Sequence, residues 1–118
     1  MPEAEARLRD ALRAEGFGVL TEVDVQAVLK ERIGAEVSAY RILGVCNPTL
    51  AHRAMELWKG FGLIAPCHVA LYDEGDHRVV IAFDPSSAAE VQDEPALREI
   101  AEQASAGIGR AVGTLDGT

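Results

Sequence analysis

Among the residues of this 118-residue sequence that can do chemistry outright, Cys46 has the most suggestive setting. It closes the run Tyr40-Arg41-Ile42-Leu43-Gly44-Val45 and immediately precedes Asn47-Pro48. Asn followed by Pro is a helix-start signal. Asn accepts a hydrogen bond from a free backbone N–H, and Pro lacks the N–H that would be orphaned in the first turn. A thiol at such a start faces free N–H groups and the positive end of the helix dipole, which favour the nucleophilic thiolate. Cys67 follows Pro66 in a later apolar run. Neighbouring strands would allow the two thiols to pair at a Cα separation of about 4.4–6.8 Å, with Cys46 as nucleophile and Cys67 as the resolving thiol. The spacing is not C-x-x-C. The competing reading is that each cysteine is small core packing, since free Cys is among the most buried residue types.

The surrounding candidates are weaker. His52 and His68 would complete a zinc or copper(I) set with the thiols, but Cys67 and His68 are adjacent in a strand and point to opposite faces. No metal is therefore expected, and no cofactor motif is present. His52 would act as a base for Cys46 only within about 3.2 Å, and its helix presents Leu50, Ala54 and Leu57 inward instead. Asn47 has a sufficient role as a cap, with ligand binding secondary. Arg41, among apolar neighbours, is a candidate anion contact whose ordinary outcome is pairing with a carboxylate. Tyr40 reads as core, with binding as the alternative.

The elements that must position these residues follow from periodicity and punctuation. Glu3 to Glu15 places Leu8, Ala11 and Leu12 at helical spacing, and Gly16 ends it. Phe17 to Val23 reads as a strand with Phe17, Val19, Thr21 and Val23 on one face. Asp24 caps a short helix over Val25 to Ile33, with Val25, Val28, Leu29 and Ile33 inward, and Gly34 closes it. Ala39 to Cys46 is apolar on both faces, as an interior strand should be. A helix from Asn47 to about Trp58 follows, then a strand over Leu63 to Tyr72 in which Pro66 marks an edge, a start or a bulge. The turn Asp73-Glu74-Gly75-Asp76 returns the chain as a strand over His77 to Phe83. Asp84-Pro85 stops that strand, residues 86–93 form a polar linker, and Glu94 to Leu115 is the clearest helix. Gly107 and Gly109 weaken it by about 1 kcal/mol each relative to Ala, which suggests a close neighbour. The connection from Asn47 to Phe61 allows either a parallel crossover or an antiparallel pair, so length leaves the topology open.

Length and composition confine the chain to one domain, residues 1–118, with a real hydrophobic core. A net charge of −8 argues against nucleic acid and against an anionic membrane surface. No apolar run approaches the roughly 20 residues of a membrane span. Two cysteines and an acidic, signal-free N-terminus lead us to expect a cytoplasmic protein with free thiols.

Four motifs stand in order: Gly16-Phe17-Gly18-Val19-Leu20-Thr21-Glu22-Val23-Asp24; Tyr40 to Pro48 with Leu50-Ala51; Gly62-Leu63-Ile64-Ala65-Pro66-Cys67; and Phe83-Asp84-Pro85. Together they resemble the domain of unknown function 302 family over most of the chain. The resemblance implies an α+β fold, with an antiparallel sheet of about four strands, helices packed on it, a TATA-box-binding-protein-like topology and often a dimer. Members usually carry a strand ahead of the first helix, and this sequence opens on that helix, so either the true start lies upstream or the family's first strand is absent, and an absent strand would leave an edge open to a second chain. The family carries no established activity. The expectation for function is a homodimeric module that binds a small ligand or a protein. The alternative is a thiol-based enzyme or carrier in redox or sulfur metabolism, using Cys46 with Cys67.

Overall fold

The computed structural model describes residues 1–87, 91 and 93–115. Its elements run α1 (Pro2–Ala14), β1 (Gly18–Asp24), α2 (Val25–Ile33), β2 (Tyr40–Cys46), α3 (Pro48–Leu57), β3 (Cys67–Glu74), β4 (His77–Ala82) and α4 (Pro95–Gly113). The four strands form one sheet in the order β1-β2-β3-β4, every pair antiparallel. This settles the topology that connection length left open, and the fold is α+β as expected.

The core lies on one side of the sheet. Leu43 and Val45 of β2 and Val69 and Leu71 of β3 point the same way and are essentially excluded from solvent. Leu8 and Leu12 of α1, and Ala104, Ile108 and Ala111 of α4, close over them. The helical spacing of those residues is why both helices lie flat on the sheet. Gly16, with φ of +85°, turns the chain from α1 into Phe17, which is buried in the same core. Arg110 of α4 donates to Glu15 at 2.8 Å and ties the end of α1 to its neighbour.

Several local expectations change. In β1 the register shifts between Val19 and Thr21. This bulge divides the expected single face: Val19 sits opposite Val45 on the core side, whereas Thr21 and Val23 sit opposite Gly44 and Ile42 on the other. In α2 no residue is buried, and Val28 and Ile33 of its apolar stripe are exposed. The cap at Asp24 forms as expected, accepting from the Ala27 N–H at 3.1 Å. The strand expected from Leu63 begins only at Cys67. Lys59–Leu63 wind into a 3-10 helix, and Pro66 marks the strand start. The expected linker over residues 86–93 lies partly outside the described residues. Within it Pro85–Ser87 make a 3-10 turn and Val91 is buried against Leu97 and Ala101. Asp84 fixes this turn to α4, accepting from the Ser86 N–H at 2.9 Å and from the Ser105 hydroxyl at 2.5 Å. These hydrogen bonds hold its carboxyl below the usual range.

The two glycines of α4 have different reasons to be there. A Cβ on Gly107 would lie 2.8 Å from Cε2 of the Phe17 ring, whereas a Cβ on Gly109 would meet open space. Both substitutions to Ala gain about 1 kcal/mol of helix propensity, but only Gly107→Ala forces a buried ring to move, at about 1–3 kcal/mol. We expect Gly109→Ala to raise the melting temperature and Gly107→Ala to lower it. Two shifts of the same sign would remove the Phe17 contact as the reason for Gly107.

Candidate functional site

The junction of β2 and α3 forms as the Cys46-Asn47-Pro48 sequence dictates. Asn47 is extended, Pro48 opens the helix, and Asn47 Oδ1 accepts from the Leu50 N–H at 3.2 Å. The Asn47 amide also packs against the turn after α1: a Cβ on Gly16 would lie 3.1 Å from its Nδ2. Opposite, Cys67 begins β3 and pairs with Val45, the residue before Cys46. Antiparallel pairing therefore brings both cysteines to the same end of the sheet, under α3 and α4.

There they line one apolar cavity of about 70 Å³. Its walls are Val45, Cys46 and Cys67 from the sheet, Leu50 and Ala54 from α3, Trp58 beyond it, and Ala101 and Ala104 from α4. No charged side chain lines it among the described residues, and Asn47 contributes the one side-chain amide. The space is less than half of the roughly 150 Å³ that accommodates benzene in an engineered cavity, and it opens to the surface. It suits the end of a short alkyl group rather than a whole polar metabolite.

The electrostatics of the thiols differ from the expectation drawn from the helix start. Both cysteines are free. Burial pushes the Cys67 thiol up to about 11, and the nearby Cys46 adds to the rise. Burial raises Cys46 as well. The reason is competition. Asn47 already occupies the Leu50 N–H, and the hydrocarbon walls disfavour a thiolate more than the helix start favours one.

The remaining candidates are dispersed. His52 points to solvent 3.6 Å from Glu56, one turn along α3, and does not line the cavity. Arg41 lies on the helix side of the sheet, held by Glu5 (2.9 Å), Glu22 (3.4 Å) and Asp24 (3.5 Å). Its buried Nε touches Glu5 as an ion contact without the alignment of a hydrogen bond. Arg9 joins the same cluster through Glu5 and Glu22. Tyr40 is half-buried rather than core, and stacks on Tyr72 across β2 and β3, with centroids 5.1 Å apart and planes 6° from parallel. His68 is exposed on that same far face, away from Cys67. Among the described residues no group of three or more His, Cys, Asp or Glu is placed to hold a metal ion.

Sequence reasoning missed the cavity's other walls, Trp58, Ala101 and Ala104. The signal that marks them is the set of small residues on the inward faces of α3 and α4, where Ala54 and Ala104 leave room that larger side chains would fill.

A thiol at about 11 carries roughly one-hundredth of the thiolate that one at 9 carries at pH 8. Alkylation of Cys67 in the folded protein should therefore be about a hundredfold slower at pH 8 than in denaturant. The same raised value makes folding less favourable as pH climbs from 9 to 11, because the unfolded thiol ionises first. A Cys67 alkylation rate that levels off below pH 8 would contradict the buried setting.

The family model described as "Domain of unknown function DUF302" matches residues 1–115. No curated protein matches the sequence. Among solved structures, the crystal structure of an uncharacterized conserved DUF302 protein from Bacillus stearothermophilus is similar, with a TM-score of 0.87 at 30% identity. The match covers 96% of this chain and 88% of that one. The antiparallel sheet, the Cys46-Asn47-Pro48 junction and the family match over nearly every residue agree: the chain belongs to the DUF302 family.

Proposed function

We propose that this chain is a homodimeric binding module whose cavity beneath Cys46 and Cys67 receives the apolar end of a small ligand. The observation that carries the reading is the cavity itself, apolar and uncharged along its walls. Apolar walls supply affinity in small-molecule sites, and the polar end of such a ligand would lie outside the cavity. No paired acid and base or activated nucleophile is assembled around it among the described residues, so binding rather than turnover is the function the geometry supports best.

Thermal melting in the presence of n-alkyl alcohols and n-alkyl carboxylates of increasing chain length tests this. Occupancy stabilises the folded state by RT ln(1 + [L]/Kd), about 2.7 kcal/mol at a hundredfold excess over Kd. The melting temperature should rise with chain length and then level off as the cavity fills. Ala54→Leu, which puts an isobutyl group into the cavity, should abolish the rise. An unchanged melting temperature across both series, or an equal rise in Ala54→Leu, would refute the ligand site.

One observation favours a second reading, a thiol redox carrier: both thiols line the same cavity. Reaction with a low-molecular-weight disulfide would pass through a mixed disulfide on Cys46. Attack by Cys67 would then form the Cys46–Cys67 bond, oxidise both thiols and release two reduced thiols from the oxidant. Incubation with oxidised glutathione should then remove two hydrogens from the protein mass, and Cys67→Ser should trap the adduct on Cys46. Unreacted protein, or separate adducts on both cysteines, excludes the carrier.

A further inference from the structure

The face of the sheet turned away from α1 and α4 has the composition of an interior surface. Val23, Ile42, Ala70 and Ile81 form one row across all four strands, and the stacked Tyr40–Tyr72 pair with Val79 forms the next. Alternation puts the charged strand residues on the opposite, helix-bearing side: Glu22 beside Leu43, Asp24 beside Arg41, and Asp73 beside Arg78. An antiparallel sheet with one solvated face normally shows the reverse pattern, with polar residues outward. Here the charges ring the covered face, and the uncovered face carries two uncharged rows between Thr21 and His68 at one end and the Glu74–His77 pair at the hairpin. Ile81 is 50% exposed and Val23 43%.

We infer that this open face is where a second copy of the chain docks, sheet against sheet, in a two-fold dimer. The inference rests on the homodimeric part of the reading above and assigns its interface.

Area and charge both favour a second copy. Four strands at about 4.8 Å spacing and seven residues at about 3.3 Å give a patch of roughly 440 Å² per copy. Two copies then bury roughly 900 Å² before side-chain relief is added, close to the ~1,000 Å² that a specific interface needs. The molecule is correspondingly flat, 43 × 34 × 20 Å. It exposes 7136 Å², against about 6,200 Å² for a compact monomer of its 12.6 kDa. A chain of net charge −8 repels its own copies everywhere except through a neutral surface. An isologous contact needs one patch that complements itself, and an uncharged sheet face stacking on its twin does so without requiring an opposite charge.

Sedimentation equilibrium on the full chain, with Ile81→Glu, Val23→Glu and Leu57→Glu, tests the assignment. Ile81 and Val23 are already exposed, so their variants should keep the wild-type circular dichroism, and having two guards against one that fails to fold. Leu57 is an exposed residue of α3 in the helical layer and serves as the control. The wild type and Leu57→Glu should be dimers. Ile81→Glu and Val23→Glu should be folded monomers, with dissociation constants raised about a hundredfold because each carboxylate is counted twice. A dimer that survives both sheet variants, or that Leu57→Glu breaks, overturns the interface and leaves the dimer standing. A wild-type monomer overturns both. The melting response to alkyl probes is independent of either result.

Discussion

The structure depends on a strand that is apolar on both sides. β2 sends Leu43 and Val45 into the helical layer and Ile42 toward the other face, with β1 and β3 paired along its two edges. Each buried Leu or Val contributes about 1.5–3 kcal/mol, so α1 and α4 are held chiefly by the ridge that Leu43, Val45, Val69 and Leu71 present to them. The charged residues must then find room around that ridge. Arg41 shares a face with Leu43 and Val45 but lies at the end of the strand, where Glu5, Glu22 and Asp24 close on it with Arg9 alongside. This cluster joins α1 to β1 and β2 and gives Arg41 carboxylate partners within the chain, the ordinary outcome for a cation in this position.

The same packing determines what the cysteines can do. A thiol at a helix start has a favourable field, but that field acts only where the thiolate keeps some solvation. At this junction Asn47 satisfies the nearest N–H, and the remaining surroundings are hydrocarbon from α3, Trp58 and α4. Desolvation therefore wins over the dipole for both thiols. The arrangement makes Cys46 and Cys67 part of an apolar wall, and the space they enclose exists because alanines face inward at Ala54, Ala101 and Ala104. The fit of Phe17 against Gly107 shows the complementary case, a ring that occupies the space a side chain would otherwise take.

The helix layer and the far face of the sheet are solved unequally. One face has two long helices, α1 and α4, over it, and the other carries two uncharged rows in which Val23 and Ile81 stand exposed. An antiparallel sheet can leave one face to water when its outward residues are polar. Here Ile42, Ala70, Val79 and Ile81 are not, and Thr21 and His68 are the polar members at one end. The flat shape of the molecule follows directly from this two-layer construction.

The sequence by itself determined the element order, the Asp24 and Asn47 caps, the burial of Leu8 and Leu12 and the family. These are local matters, set by side-chain spacing and by the orphan N–H groups of helix starts. It also carried the clue to the two-sided strand. Tertiary structure alone decided the rest. The bulge at Leu20 moved Thr21 and Val23 to the far face, because one extra residue in an edge strand reverses the alternation after it. Of the α2 stripe read as inward, Val28 and Ile33 remain exposed, while Val25 and Leu29 are partly covered where the helix meets β1 and β2. The antiparallel pairing of β2 with β3 brought Cys46 and Cys67 to one cavity. Their titration was set by the non-local walls around them, which the helix-start pattern at Asn47 does not encode.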